Sequence, residues 1–293
     1  MRDKAIAVLG LGGMGSGIAK AIRAAGFEVT VFNRSVEKAR SLEGIGVRIA
    51  TSIEEAVAEV DVVVLSLADE AAVNQVLFEQ PDSPIRPGST VIDTSTVSPA
   101  FSHDITEKLA SGGVSRVEAC VVGNPHMAAE GKLRVFAAGA ESDVDSVRDV
   151  LDAFGQEVRY LGAAGSGSAL KLAFNSLLGV QTAALAEAVS FVEAMGMSRD
   201  LLLNALDNSG WRSPVLSFRL QFMLRREYRP AGFRSELMHK DLALVGMEAK
   251  ARGATMPLVE CAAREFEAVL RAGRGDDDAA VVVEVRPSPT GDA

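Results

Sequence analysis

The opening stretch, Ala5-Ile6-Ala7-Val8-Leu9 followed by Gly10-Leu11-Gly12-Gly13-Met14-Gly15, constrains the fold more than any other. A short, continuous apolar run is the pattern of a parallel strand buried on both faces, and from Met14 to Ala25 the pattern becomes helical. Strand, G-x-G-x-x-G, helix is the order in which the glycines have separate tasks. Gly10 permits the tight turn, Gly12 lets the backbone approach a pyrophosphate, and Gly15 lets the helix pack on its strand. Free amides at the helix N-terminus face the phosphates, and Leu11, Gly13 and Met14 complete the expected cofactor-binding loop. The motif predicts a dinucleotide-binding βαβ unit at the head of the chain.

The next strand, Val29 to Phe32, is followed by Asn33-Arg34-Ser35. A chain that selects NAD usually carries Asp or Glu here, which binds the ribose hydroxyls and repels the extra phosphate of NADP. With Asn33 and Ser35 flanking Arg34, a charge-assisted contact to a 2′-phosphate is expected, about ten- to a hundredfold in preference. NADPH is the expected cofactor.

Strands near Val47 to Ile49, Val62 to Leu67 and Thr90 to Asp93 then alternate with helical stretches beginning near Ile53, Ala71 and Ser98. This alternation predicts an α/β, doubly wound parallel sheet. Ligands of such sheets bind beyond the carboxyl ends of the strands, which nominates the loops Ser66-Leu67-Ala68-Asp69 and Asp93-Thr94-Ser95-Thr96-Val97-Ser98-Pro99, with Leu67 and Ala68 as candidate cofactor contacts. Thr96 or Ser98 also suits a helix cap. Glu118 to Leu133 reads as strand, loop, strand, with Val122-Gly123-Asn124 in the loop. A helix from about Ser142 to Phe154 and a strand over Glu157 to Tyr160 close a first domain over residues 1–162.

Beyond Gly162 the strand signals stop. An apolar helix from Leu170 to Met195 ends at Gly196, as a C-cap would. Helices from about Arg199, Pro214, Ser235 and Pro257 complete an all-helical domain over residues 163–284, and residues 285–293 read as a disordered tail. Near the start of the long helix, Lys171 and Asn175 are four residues apart, so they share one face and can address one small molecule. Gly165 and Gly167 just before them admit a close neighbour.

At 293 residues, 48% hydrophobic and 24% charged, the chain suits two soluble domains. Its formal charge of −9 argues against nucleic-acid or anionic-membrane partners. Cys120 and Cys261, far apart and without ligand spacing, indicate neither a disulfide framework nor a metal site, and suit a cytoplasmic location. The N-terminal apolar run is too short for a signal peptide, and with no uninterrupted run of about 20 apolar residues no membrane span is expected.

With these pieces in order, the chain resembles the β-hydroxyacid dehydrogenases, the family of 3-hydroxyisobutyrate dehydrogenase, tartronate semialdehyde reductase and the glyoxylate/succinic semialdehyde reductases. The resemblance covers about residues 5 to 284. It rests on Gly10 to Gly15, Asp93-Thr94-Ser95-Thr96-Val97-Ser98-Pro99, Gly165-Ser166-Gly167 with Lys171 and Asn175, and Phe233 through Lys240-Asp241-Leu242. It implies a Rossmann domain, a helical domain in a homodimer or homotetramer, and hydride transfer between NAD(P)H and a small carbonyl. Lys171 is then the acid/base, Asn175 positions it or the substrate, and Thr96 and Lys240 lie near the cofactor. The chemistry agrees, because hydride addition builds negative charge on oxygen that a nearby ammonium stabilises and protonates.

The chain departs from the family in two places. Where many members have Ser-Gly-Gly to hold a substrate carboxylate, this chain has Val122-Gly123-Asn124, so only backbone amides or the Asn124 side chain remain for an anion. Phe174 stands where Asn is common. In the helical half, Trp211 reads first as a core or interface aromatic and Arg212 as an alternative carboxylate anchor, both candidates for substrate binding. His103 and His239 read as helix-surface residues, and His126 has no identifiable acidic partner. The imine reductases, which share the architecture and prefer NADPH, offer an alternative with a less polar imine substrate, but they usually lack this lysine. A non-catalytic dinucleotide-binding module is the third reading.

Overall fold

The sheet is built from runs such as Val62–Leu65 and Thr90–Asp93, in which every residue is buried and β-branched residues dominate. Its strands are β1 (Ala5–Leu9), β2 (Glu28–Phe32), β3 (Arg48–Ile49), β4 (Val62–Leu65), β5 (Thr90–Asp93), β6 (Ser115–Val122), β7 (Leu133–Ala138) and β8 (Gly155–Tyr160). They lie in the order β3-β2-β1-β4-β5-β6-β7-β8. The computed structural model describes residues 4–79 and 85–285, and two compact units divide between Lys171 and Leu172.

The sheet is parallel from β3 to β6, as expected, but β7 runs antiparallel to β6 and β8 parallel to β7. The connection explains the departure from an all-parallel sheet. Residues 123–132 are too few for a crossover of a dozen or more residues carrying a helix, so β6 can only turn back on itself. Apolar clusters cover the sheet, one including Ile18, Ile22, Leu133 and Phe154, the other Leu65, Leu77, Val91 and Ile105. The β6–β7 connection also carries a short helix, Pro125–Ala129, which the strand–loop–strand reading omitted. The helix expected from Ser142 to Phe154 is two pieces, Glu141–Ser146 and Arg148–Phe154.

The second unit is helical. The long helix, Ser166–Ala194, enters it from the first unit and ends before Gly196, whose φ of 76° is the left-handed value a helix stop requires. Helices Arg199–Asp207, Pro214–Arg225, Ser235–Ala251 and Pro257–Arg271 follow. Leu185, Val189, Leu220, Met238, Leu242 and Phe266 are among the residues of their common core. At Gly179 a Cβ would lie 2.9 Å from Leu242 and Met238, so a glycine is what lets the long helix sit this close to Ser235–Ala251. Val285 ends a final short helix, and the tail expected to be disordered otherwise lies outside the described residues.

By length and composition the long helix is, among the described residues, the one helix apolar enough to cross a membrane, although its sequence holds no uninterrupted apolar run of about 20 residues. A core helix passes the same test. Here Leu172, Asn175, Gly179, Thr182, Ala186 and Val189 form a buried stripe with helical spacing, while Leu177 and Phe191 are exposed.

Candidate active site

In the first unit, the glycine loop leaves β1 with Gly10 at φ 94°, where a Cβ would lie 2.4 Å from the Ser66 carbonyl oxygen. A Cβ on Gly15 would lie 1.9 Å from the Gly10 carbonyl oxygen, so the helix can begin only with glycine there. Gly12 has open space on its Cβ side, and the helix Gly13–Ala24 starts without a side-chain cap. An uncapped helix start with an open glycine face fits a pyrophosphate.

Asn33, expected at the ribose, ties the loops together. Its Oδ1 accepts from Leu11 N at 2.9 Å and its Nδ2 donates to the Ser35 carbonyl oxygen at 3.1 Å. Arg34 is exposed beside it. The Ser35 hydroxyl donates to Glu37 at 2.7 Å, and this bond holds the Glu37 carboxyl below its ordinary range. Sequence reading passed over this carboxylate next to the expected 2′-phosphate position, although it sits two residues from Ser35.

The other nominated loops are latched to one another. Leu67 N donates to Ser95 Oγ at 3.0 Å, Ser95 N to Asp93 at 2.9 Å, and the Thr94 hydroxyl to the Leu65 carbonyl at 2.7 Å. Ser98 caps the helix Pro99–Ser111. Leu67, Ala68 and Thr96 therefore belong to one braced rim at the ends of β4 and β5.

Lys171 is half-buried, and its Nζ donates to the Val121 carbonyl oxygen at the end of β6 at 2.8 Å. An ammonium has three donors, so two remain for a ligand. The Val122-Gly123-Asn124 loop follows directly. Gly123 has φ 147°, and a Cβ there would meet Leu133 at 2.6 Å. Asn124 Oδ1 caps the helix Pro125–Ala129 through Met127 N at 3.0 Å, which commits that oxygen to the fold. Next to Val121, burial pushes the Cys120 thiol up to about 11, against the pull of the Lys171 ammonium and with help from Glu118. His126, expected without an acidic partner, lies 3.2 Å from Glu130 one turn along, a pairing visible in the i,i+4 spacing.

The second unit holds Asn175 and Lys240. Asn175 donates from Nδ2 to Asp241 Oδ2 at 2.6 Å, and Lys240 Nζ lies 2.9 Å from Asp241 Oδ1. Asp241 is 1% exposed, so one buried carboxylate orients both side chains. Its grip on Nδ2 leaves Asn175 presenting its carbonyl oxygen. Sequence analysis gave Asp241 no role, although its place next to Lys240 was the available signal. Trp211 is 79% exposed and so is no core aromatic of this unit, and Arg212, also exposed, lies 3.5 Å from Asp207.

A Rossmann unit with an uncapped glycine loop, followed by a helical unit, with a lysine and an asparagine one turn apart on the helix that runs from the one into the other, defines the class of nicotinamide-dependent oxidoreductases. Residues 5–162 match the NAD binding domain of 6-phosphogluconate dehydrogenase, and residues 165–286 the NAD-binding domain of NADP-dependent 3-hydroxyisobutyrate dehydrogenase. The chain belongs to this 3-hydroxyisobutyrate dehydrogenase-like family of β-hydroxyacid dehydrogenases. It is 32% identical to a probable 3-hydroxyisobutyrate dehydrogenase of Mycobacterium bovis over 95% of this chain and 96% of that one. It is 30% identical to glyoxylate/succinic semialdehyde reductase 2 of Arabidopsis thaliana over 95% of this chain and 78% of that one. The solved 3-hydroxyisobutyrate dehydrogenase of Salmonella typhimurium superimposes with a TM-score of 0.91 at 29% identity, covering 97% and 100% of the two chains.

Proposed function

We propose that the protein is an NADPH-dependent reductase of a small aldehyde or keto acid, or the dehydrogenase of the matching hydroxy acid, with Lys171 as the proton donor. The observation that carries this reading is the Lys171 ammonium, fixed to the Val121 carbonyl at 2.8 Å immediately before the Val122-Gly123-Asn124 loop. The nicotinamide, when bound, supplies the hydride. Gly12, Gly13 and Met14 would hold the pyrophosphate, Leu11 serving instead to brace the loop because its amide is taken by Asn33, with Arg34 and Ser35 at the 2′-phosphate and Leu67, Ala68 and Thr96 at further parts of the cofactor. Lys171 stabilises negative charge on the substrate oxygen and gives it a proton, and Asn175, one turn along the same helix, presents an acceptor held by Asp241.

With Val122 in place of a serine, a substrate carboxylate would rely on backbone amides and on the Asn124 side-chain N–H donors, since the cap uses only its oxygen. The test is NADPH and NADH oxidation by wild type and Lys171→Ala against glyoxylate, succinic semialdehyde, tartronate semialdehyde, aryl aldehydes and cyclic imines. Carbonyl turnover with NADPH that falls by about 10²-fold or more in Lys171→Ala supports the reading. Turnover of imines alone, or a fully active Lys171→Ala, replaces it with imine reduction.

A further inference from the structure

Glu118 is a glutamate 3% exposed on β6, with no role in the chemistry described above. Its carboxylate collects the start of the long helix. Oε1 accepts from Gly165 N at 2.8 Å, Ser168 Oγ at 3.1 Å and the Ser102 hydroxyl, and Oε2 accepts from Gly167 N at 2.9 Å, with Ser168 N at 3.4 Å. The first amides of a helix have no partner inside it, and a negative group among them is favoured by the helix dipole. Such a partner usually comes from the residue just before the helix. Here it comes from a strand about fifty residues earlier.

The carboxylate is itself held from behind. Arg116, two residues earlier on β6, donates to Ser102 Oγ at 2.8 Å and to Asp93 at 2.8 Å, and lies 3.8 Å from Glu118. All of these side chains are buried. Three residues after Glu118 on the same strand, the Val121 carbonyl receives the Lys171 ammonium. Paired on both edges, by β5 and β7, β6 thus grips the long helix twice, at its origin and at the lysine one turn later.

We infer that Glu118 is a positioning residue for Lys171: by fixing the origin of the long helix against β6, its carboxylate fixes where the lysine ammonium is delivered. The inference rests on the reading of Lys171 as the proton donor. A displaced helix origin moves the ammonium from the Val121 carbonyl and from any oxygen it must protonate, and misplacements of about 1 Å can cost about 10²-fold in rate.

Two variants of the full chain test it. Glu118→Gln keeps the length and one oxygen but turns an amide N–H toward backbone N–H donors. Gly167→Ala leaves Glu118 in place, adds a methyl 2.7 Å from its Oε2, and favours the helix by propensity. Competitive acetylation with acetic anhydride, read lysine by lysine by mass spectrometry, is expected to show Lys171 labelled several-fold faster in both variants, with exposed Lys108 unchanged. Lys171 unchanged in both, or every lysine rising together, overturns the proposal.

The kinetic arm uses NADPH with the best carbonyl of the panel above. Either variant is expected to lower kcat by about 10- to 100-fold with KM within about threefold, and Glu118→Gln with Lys171→Ala should be no slower than Lys171→Ala alone. Losses that multiply would mean that Glu118 acts elsewhere. If Lys171→Ala is as active as wild type, the proton-donor reading fails while the labelling still decides whether Glu118 positions the lysine.

Discussion

At the scale of single residues, charge and burial decide what each side chain can do. Cys120 and Cys261 are both free thiols, one buried and one exposed. Because burial raises the Cys120 thiol to about 11, iodoacetamide near pH 7.5 is expected to modify Cys261 and spare Cys120 until the protein is unfolded, as peptide mapping would show. Equal labelling of both in the native protein would contradict this. Cofactor preference gives a second prediction. Arg34→Ala should lose about ten- to a hundredfold in kcat/KM for NADPH while leaving NADH little changed, and Glu37→Gln should move the ratio toward NADPH. The glycine loop, Arg34, Lys171 and Asn175 stood out as candidates in the sequence because each belongs to a short-range pattern. Glu118 did not, because the helix start it holds lies 47 to 50 positions away and no local period marks such a bond, and Asp241, though next to Lys240, gave no hint of Asn175 66 positions away.

At the scale of elements, helix and strand starts followed from local signals, such as proline at the first helical position in Pro214–Arg225 and Pro257–Arg271. What escaped was set by tertiary contact. The helix Pro125–Ala129 is only five residues long, too short to stand by itself, and it forms against the glycine-loop helix. A Cβ on Gly13 would lie 2.9 Å from Pro125, and one on Gly17 2.7 Å from the Ala128 side chain and 2.8 Å from the Pro125 carbonyl oxygen. Gly17→Ala gains about 1 kcal/mol of helix propensity yet meets backbone that cannot move aside. Overpacking should win, with a net destabilisation of about 1–2 kcal/mol in urea unfolding. A stabilised variant would show that Pro125–Ala129 yields easily.

At the scale of the whole molecule, acid should act on the helical unit through Glu284. Burial raises its carboxyl, but hydrogen bonds from Arg199 and Tyr228, both at 2.6 Å, outweigh burial and leave it below 4.5. A carboxyl lowered on folding contributes stability that is fully present above its unfolded value and is lost as pH falls through its folded value. Glu284→Gln should therefore cost about 1–3 kcal/mol at pH 7, and less as the pH drops below 4.5, measured by denaturant unfolding across that range. We also propose assembly into a homodimer or homotetramer, because the helical unit exposes Leu177, Phe191, Leu201, Trp211, Met247 and Leu258. A monomeric mass by light scattering at micromolar concentration would count against that. Because the units divide between Lys171 and Leu172, the first turn of the long helix belongs with the sheet. A hybrid joined near residue 162 would take its lysine from one parent and the seat of that lysine, Glu118 and Val121, from the other. Relatives can exchange helical halves only where those two surfaces have been kept compatible.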